Sequence, residues 1–150
     1  MVSRTRANMF AVLGLTKQAL CTYMAAKKET ERNLMVIGTH SDDNLEKAML
    51  TFMVANASEA LGVKTKVFLM SKGTSLVKKG YAKSMPKMVG MEPMEDLISS
   101  FQEMGGIIHV CVPCKDARGI KASEFIANIE FSTLMDLVEM TQTDTRVISF

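Results

Sequence analysis

Long apolar runs, paired cysteine frameworks and phosphate-binding glycine motifs are all missing from this sequence. Because no apolar run is long enough to cross a bilayer, the sequence predicts no transmembrane segment. Its three cysteines are an odd number, which argues against a disulfide framework and favours a reducing compartment, predicted here to be the cytoplasm. No G-x-G-x-x-G or P-loop pattern occurs, so no motif supports nucleotide binding.

A strong excess of charge is also absent, since the net charge is +2. Residues 1–28 carry basic and no acidic side chains, and the rest of the chain is slightly acidic. A slightly acidic body argues against direct nucleic-acid binding. What is present is typical of one globular domain: 150 residues, 47% apolar and 23% charged. The 14 methionines indicate adaptable subunit contacts.

Residues 1–32 are predicted to be an N-terminal helical extension ahead of an α/β domain over 33–150. Apolar residues recur at roughly helical spacing over 5–31, and alanine is frequent there. Two roles stay open for this segment. One is a helix that docks on the body or on a neighbouring subunit, and the other is an organelle transit peptide, favoured by arginines and the absence of acids before Glu29.

Strand patterns alternate with helix patterns along residues 33–150. The predicted strands cover 34–38, 63–70, 107–111 and 146–150, with Ile129 and Phe131 as further buried residues, and the main predicted helices cover 45–62, 93–104 and 133–141. This alternation predicts a three-layer α/β fold, in which a mostly parallel sheet of about five strands has helices on both faces. The segment 81–92 is predicted to be a mobile loop or lid, and Met104 is predicted to share the apolar face of the helix over 93–104.

A pair of cysteines follows the strand predicted over 107–111. Cys111 ends that strand and Cys114 lies three residues on, at the sheet edge where ligands and chemistry gather in open α/β folds. Lys115 and Arg118 place two cations after the thiols, and a helical turn starting near Pro113 would point free amides toward Cys111. Both features predict a lowered thiol pKa and would also hold a persulfide anion.

Other interpretations of these residues stay open. Cys111 is also compatible with an inert buried strand residue. A structural zinc site is disfavoured because it needs four ligands, and a thioredoxin-like motif is disfavoured because it normally follows the first strand of its fold. His109 shares the strand face of Cys111 and is compatible with contact to the thiol, although a hydrogen-bonded core histidine is the simpler interpretation.

Residues 33–150 resemble the DsrE/DsrF-like sulfur-relay family, and its TusD-like members in particular. The resemblance rests on the strand over 34–38 with its Asp-bearing turn, on 48–62 and 67–69 with the turn at Gly73, on Gly105-Gly106 ahead of Cys111, on Arg118-Gly119-Ile120 and on the closing strand over 146–150. It implies a small α/β fold assembled into trimers or hexamers and a cysteine that carries sulfur as a persulfide. Cys111 matches the family's active cysteine. The pattern does not require Cys114. Three roles stay open for this residue: a second sulfur acceptor, a resolving thiol or the true carrier.

The sequence thus leads to the hypothesis of a cytoplasmic, homo-oligomeric sulfur carrier, with enzymatic sulfurtransferase activity left open. Its site residues are Cys111 and Cys114 as the reacting thiols, with Lys115, Arg118 and His109 stabilising the thiolate or persulfide. The resemblance implies donor and acceptor proteins, such as a rhodanese-like protein or a small cysteine-bearing carrier; no cofactor and no metal are expected. Two rival hypotheses are a dithiol redox protein using Cys111 and Cys114, and a non-catalytic oligomeric interaction module.

Overall fold

The computed structural model describes residues 33–143 and 145–150, so the predicted extension over 1–32 lies outside the described residues. Strands and helices alternate in the order β1 (Asn33–Gly38), α1 (Leu45–Ala60), β2 (Lys64–Leu69), a 3-10 helix (Ser71–Val77), α2 (Tyr81–Ser84), α3 (Met94–Glu103), β3 (Ile107–Cys111), α4 (Val112–Ala117), a second 3-10 helix (Ala122–Glu124), β4 (Ile129–Ser132), α5 (Leu134–Thr141) and β5 (Thr145–Ser149). The predicted strands and main helices therefore all occur.

The five strands form one sheet in the order β4-β3-β2-β1-β5, and each neighbouring pair is parallel. This confirms the predicted α/β fold class. Because the strands run in one direction, the carboxyl ends of β1, β2 and β3 meet at the same edge of the sheet. The segments that follow these three strands are consequently neighbours in space although they are far apart in sequence.

One face of the sheet is covered by α1 and α3, which together bury most of the core. Phe52 of α1 and Phe101 of α3 are fully buried and pack edge to face, with their ring centroids 6.1 Å apart. Burial of side chains of this size stabilises the fold by about 2–3 kcal/mol each. The sheet contributes alternate residues of its strands to this core, such as Val36, Val67 and Ile108.

The other face carries a smaller buried cluster, which consists of Met35, Phe68 and Cys111. Leu137 and Met140 of α5 pack against it, as does Cys114. A capping box at Thr133, reciprocated by Asp136, opens α5, the helix that is predicted over 133–141. Helices thus cover both faces of the sheet, with the thiols on the α5 side.

Two predicted burials are wrong. Met104 is 41% exposed because α3 ends at Glu103 and Met104 is only its C-cap. Phe131 is 42% exposed because β4 is an edge strand, although its ring packs edge to face against Phe125. Within the segment predicted as a loop over 81–92, Tyr81–Ser84 form one helical turn; the mobility of this segment stays a prediction.

Candidate functional site

The two cysteines lie where β3 passes directly into α4. Cys111 is both the last residue of β3 and the N-cap of α4, and its backbone is extended. Pro113 lies in the first turn of α4, where its fixed φ suits a helix start and its missing N–H costs no hydrogen bond. The predicted helical turn near Pro113 is therefore confirmed, and Cys114 lies within that turn as a second free thiol.

The thiol of Cys111 is completely buried on the α5 side of the sheet. Burial raises the pKa of Cys111 to about 11, and hydrogen bonding to the Cys114 side chain acts in the same sense. The backbone N–H of Cys114, as the predicted turn requires, and the positive charge of Arg118 lower this pKa, but they do not offset the loss of hydration. The prediction of a lowered thiol pKa is therefore wrong for Cys111, because the strand turns its side chain into the core instead of toward the sheet edge.

Cys114 has different surroundings, since it is only partly buried. The backbone N–H of Ser71 donates to its Sγ, with the two atoms 3.2 Å apart. Ser71 follows β2 and adopts the left-handed region, with φ of 51°, which is uncommon for a residue other than glycine. Residues held in this region of backbone space cluster at functional sites.

The loop that carries Ser71 is held close to the end of β1. The N–H of Met70 donates to the Gly38 carbonyl at 3.0 Å, and that of Gly73 donates to the Thr39 carbonyl at 3.1 Å. A Cβ atom at position 73 would lie 2.3 Å from the Gly38 carbonyl oxygen, so only glycine allows this approach. The close contact between the two loops fixes the position of the Ser71 N–H.

The two cations after the thiols are used differently. The Arg118 guanidinium returns to the thiol segment, where its Nη1 donates to the Cys114 carbonyl oxygen at 2.9 Å. The Lys115 ammonium pairs with the neighbouring Asp116 and lies 5.7 Å from the centroid of the Phe131 ring. Arg118 is thus the cation coupled to the thiols, whereas Lys115 is directed toward β4.

His109 is buried two residues before Cys111 and on the same face of β3. Its Nδ1 lies 2.9 Å from Ser132 Oγ and 3.4 Å from a Glu130 carboxylate oxygen, and its ring stacks on Phe68. Burial lowers the pKa of His109, and the charge of Glu130 acts in the opposite sense. The simpler of the two interpretations, a hydrogen-bonded core histidine, is the one that these contacts favour.

Sequence reasoning missed Ser71. The available signal was that Ser71 follows β2 at the carboxyl edge of the sheet, next to the strand that carries the thiols. The polar turn after β1 caps α1, because Asn44 Oδ1 accepts the N–H of Lys47 in the first turn of that helix. Within residues 33–143 and 145–150, no three Cys, His, Asp or Glu side chains are grouped to hold a metal ion, and none of the helices has the length and apolar character to span a bilayer.

Residues 32–150 match the model of the DsrE/DsrF-like family. The chain is similar to the uncharacterized protein MJ0989 of Methanocaldococcus jannaschii, at 27% identity over 77% of this chain and 96% of the relative. It is also similar to the uncharacterized protein MK0008 of Methanopyrus kandleri, at 30% identity over 70% of this chain and 83% of the relative.

Solved structures show the same fold. The ychN protein from E. coli superposes with a TM-score of 0.67 at 20% identity, over 79% of this chain and 99% of that one. MTH1491 from Methanobacterium thermoautotrophicum superposes with a TM-score of 0.57 at 12% identity, over 79% of this chain and 98% of that one. The fold, the strand that ends in Cys111 and the match over residues 32–150 agree: this chain belongs to the DsrE/DsrF-like family.

Proposed function

We propose that this protein is a sulfur carrier that accepts sulfane sulfur as a cysteine persulfide and relays it to a partner protein. The observation that supports the proposal best is the partly buried Cys114, whose Sγ accepts the Ser71 N–H beside the buried Cys111. Membership of the DsrE/DsrF-like family is consistent with sulfur relay. Donor and acceptor proteins, a homo-oligomeric state and a cytoplasmic location belong to the same proposal.

Cys114 is the better receiving thiol of the two. A thiolate attacks sulfur, so the receiving cysteine needs access to the donor and a partner for its negative charge. Cys114 has both, because it is partly exposed and its sulfur accepts a backbone N–H. Cys111 lacks the access, because its side chain is buried, and its pKa is raised to about 11 although the Cys114 backbone N–H and Arg118 favour its anion. The role of carrier, which the family resemblance gives to Cys111, is therefore proposed for Cys114.

Loading begins with attack of the Cys114 thiolate on the terminal sulfur of a donor persulfide. The bond between Cys114 Sγ and that sulfur forms as the donor S–S bond breaks, and the donor leaves as a thiolate that takes up the proton lost by Cys114. The product is a persulfide on Cys114 with no net change in the number of electrons. The Ser71 N–H, which donates to Cys114 Sγ, is placed to donate to this sulfur atom during the transfer.

Unloading has two balanced routes. In the first, an acceptor thiolate attacks the terminal sulfur of the Cys114 persulfide and leaves with it, which regenerates the Cys114 thiolate. In the second, the Cys111 thiolate attacks Cys114 Sγ, so a Cys111–Cys114 disulfide forms and hydrosulfide is released. The second route requires a thiol reductant to restore both cysteines.

A dithiol redox function is the second candidate. The packing of Cys114 against the buried cluster that contains Cys111 favours it, because a disulfide forms only between neighbouring cysteine side chains. In that function the pair cycles between dithiol and disulfide and never holds an additional sulfur atom. The interaction-module hypothesis, in contrast, requires both thiols to be inert.

Intact-mass spectrometry after incubation with glutathione persulfide separates these functions. The parent protein is the full chain with Cys21→Ser, which keeps Cys111 and Cys114 as its only thiols. The proposal predicts a gain of about one sulfur atom in Cys111→Ser, where the intramolecular disulfide cannot form, and no gain in Cys114→Ser. The parent either keeps the additional sulfur atom or, by the second unloading route, loses two hydrogens and releases hydrosulfide. A gain that disappears only with Cys111→Ser keeps sulfur relay and assigns the carrier to Cys111.

The other outcomes refute sulfur relay. Loss of two hydrogens from the parent under mild oxidant, without any sulfur gain from the persulfide in Cys111→Ser, establishes the redox function. No mass change under either treatment leaves the thiols inert and supports the interaction module.

A further inference from the structure

Thr74 is a fully buried polar residue that lies three positions after Ser71, within the first 3-10 helix. A buried hydroxyl group is costly unless it is hydrogen-bonded, and the apolar core beside it needs no hydroxyl for packing. Thr74 Oγ1 donates to the Ser71 carbonyl oxygen, with the two atoms 3.0 Å apart. The hydroxyl therefore connects the interior of the domain to the residue whose N–H bonds the sulfur of Cys114.

The peptide group that contains the Ser71 N–H lies between two peptide groups that are held in place. The preceding peptide group is held by the Met70 N–H, which donates to the Gly38 carbonyl at 3.0 Å. The following one is held by the Ser71 carbonyl, which accepts the Thr74 hydroxyl. Because peptide groups are planar and turn only about φ and ψ, fixing both neighbours restricts the direction of the N–H between them. Gly38 and Thr74 thus hold the Ser71 N–H from either side.

The backbone conformation of Ser71 requires this support. Its φ of 51° lies in the left-handed region, which residues with a side chain adopt infrequently. A residue stays in such a conformation only where the surrounding structure holds it there. If φ relaxed to a negative value, the peptide group would turn and its N–H would leave Cys114 Sγ, which is now 3.2 Å from the nitrogen. The Thr74 hydroxyl is one of the bonds that oppose this change.

We propose that Thr74 is a positioning residue of the thiol site, because its hydroxyl holds the Ser71 peptide so that the N–H donates to Cys114 Sγ. Thr74 acts on the sulfur through Ser71 and takes no part in the transfer itself. Its effect on sulfur loading rests on the proposed function of Cys114. The hydrogen bond that it supports is tested without any persulfide, so failure of the relay and failure of the positioning role are separate results.

The first test is amide hydrogen exchange of Ser71, followed by NMR in the full chain. Thr74→Val removes the hydroxyl and Thr74→Ser keeps it. We expect the exchange rate of Ser71, divided by that of Val67 in the middle of β2, to rise about fivefold in Thr74→Val and to stay near the wild-type ratio in Thr74→Ser. The ratio corrects for a general loss of stability, which raises both rates together.

The second test is the pH dependence of Cys114 alkylation by iodoacetamide, followed by peptide mapping. Losing an N–H donor disfavours the thiolate, so Thr74→Val should slow the reaction about threefold at pH 7. At pH 10, where an ordinary cysteine is ionised without help, the two rates should agree. A purely structural role for the hydroxyl would not produce a difference that is confined to the lower pH.

Sulfur loading is measured as the rate of mass gain from glutathione persulfide. The background is the full chain with Cys21→Ser and Cys111→Ser, which leaves Cys114 as the only thiol. Thr74→Val should slow the gain about threefold, and Thr74→Ser should restore the rate. Absence of any gain in the background protein, together with the expected exchange and alkylation results, would refute sulfur relay and leave the positioning role standing.

Thr65→Val is the matched control for all three measurements. Thr65 is also buried, and its Oγ1 donates to the Val63 carbonyl at 3.0 Å, but it lies near the amino end of β2, away from the thiols. It should leave the exchange ratio, the alkylation profile and the loading rate unchanged. Wild-type exchange and alkylation in Thr74→Val would overturn the proposal. Equal effects of Thr65→Val and Thr74→Val, or a loss in Thr74→Ser as large as in Thr74→Val, would overturn it as well.

Discussion

Cys111 and Cys114 are three residues apart, yet their surroundings predict different reactivity. Since the pKa of Cys111 is about 11, only about one Cys111 side chain in a thousand is ionised at pH 8. We expect iodoacetamide to modify Cys114 at least tenfold faster than Cys111 at pH 8, as measured by peptide mapping, and modification of Cys111 to accelerate as the pH rises toward 10. In urea both cysteines should react at similar rates, and equal rates in the folded protein would contradict this prediction.

His109 links the stability of the domain to pH. Burial lowers its pKa in the folded chain, whereas an unfolded histidine titrates near 6.5, so below about pH 6.5 the unfolded state binds more protons than the folded state. The stability contributed by neutral His109 is therefore present above pH 6.5 and is lost as the pH falls. His109→Gln should lower the free energy of unfolding by about 1–3 kcal/mol at pH 7.5. In urea titrations, the difference in the free energy of unfolding between His109→Gln and the wild type should be smaller at pH 5.5 than at pH 7.5. A difference that stays the same at both pH values would refute the linkage.

At the scale of elements, the contact between the loops after β1 and β2 positions the donor to Cys114. Gly73→Ala would place a methyl group 2.3 Å from the Gly38 carbonyl oxygen, which forces the Ser71 loop away from β1. We expect a loss of about 1–3 kcal/mol in the free energy of unfolding, together with slower formation of the Cys114 persulfide. Urea unfolding and the rate of mass gain measure the two effects.

Gly106→Ala is the matched control for this element, because it produces a similar clash away from the thiols. Its Cβ would lie 2.3 Å from the Phe101 ring, at the junction of α3 and β3. It should destabilise the domain to a similar extent and leave the rate of persulfide formation unchanged. If both variants slow persulfide formation equally, the contact of Gly73 with β1 has no specific role in the thiol chemistry.

For the whole molecule, the two faces of the sheet differ in how completely their apolar side chains are buried. Phe52 is fully enclosed between α1, α3 and the sheet, whereas Leu137 of α5 is only partly buried on the thiol face. We expect Phe52→Ala to lower the free energy of unfolding by about 3–5 kcal/mol and Leu137→Ala by less than about 2 kcal/mol, both measured in urea. A loss from Leu137→Ala as large as that from Phe52→Ala would show that both faces stabilise the fold equally.

The order of strands and helices could be predicted from the sequence because it depends on local patterns. Short Val- and Ile-rich runs gave the positions of β1, β2, β3 and β5, and the Thr133 capping box gave the start of α5. The same local signals placed the cysteines at the junction of a strand and a helix, since Pro113 favours a helix start directly after β3.

The properties of the site, in contrast, were decided by residues that are distant in sequence. The donor to Cys114 comes from Ser71, 43 residues earlier in the chain, and the pKa of Cys111 is raised because Met35 and Phe68 enclose its side chain. The charges of Lys115 and Arg118 were evident from the sequence, but the partners of Lys115 depend on where β4 lies. The sequence by itself thus determined the family, the order of the elements and the location of the thiols. Only the tertiary structure decided which thiol is accessible, because burial and hydrogen bonding depend on neighbours that the fold brings together.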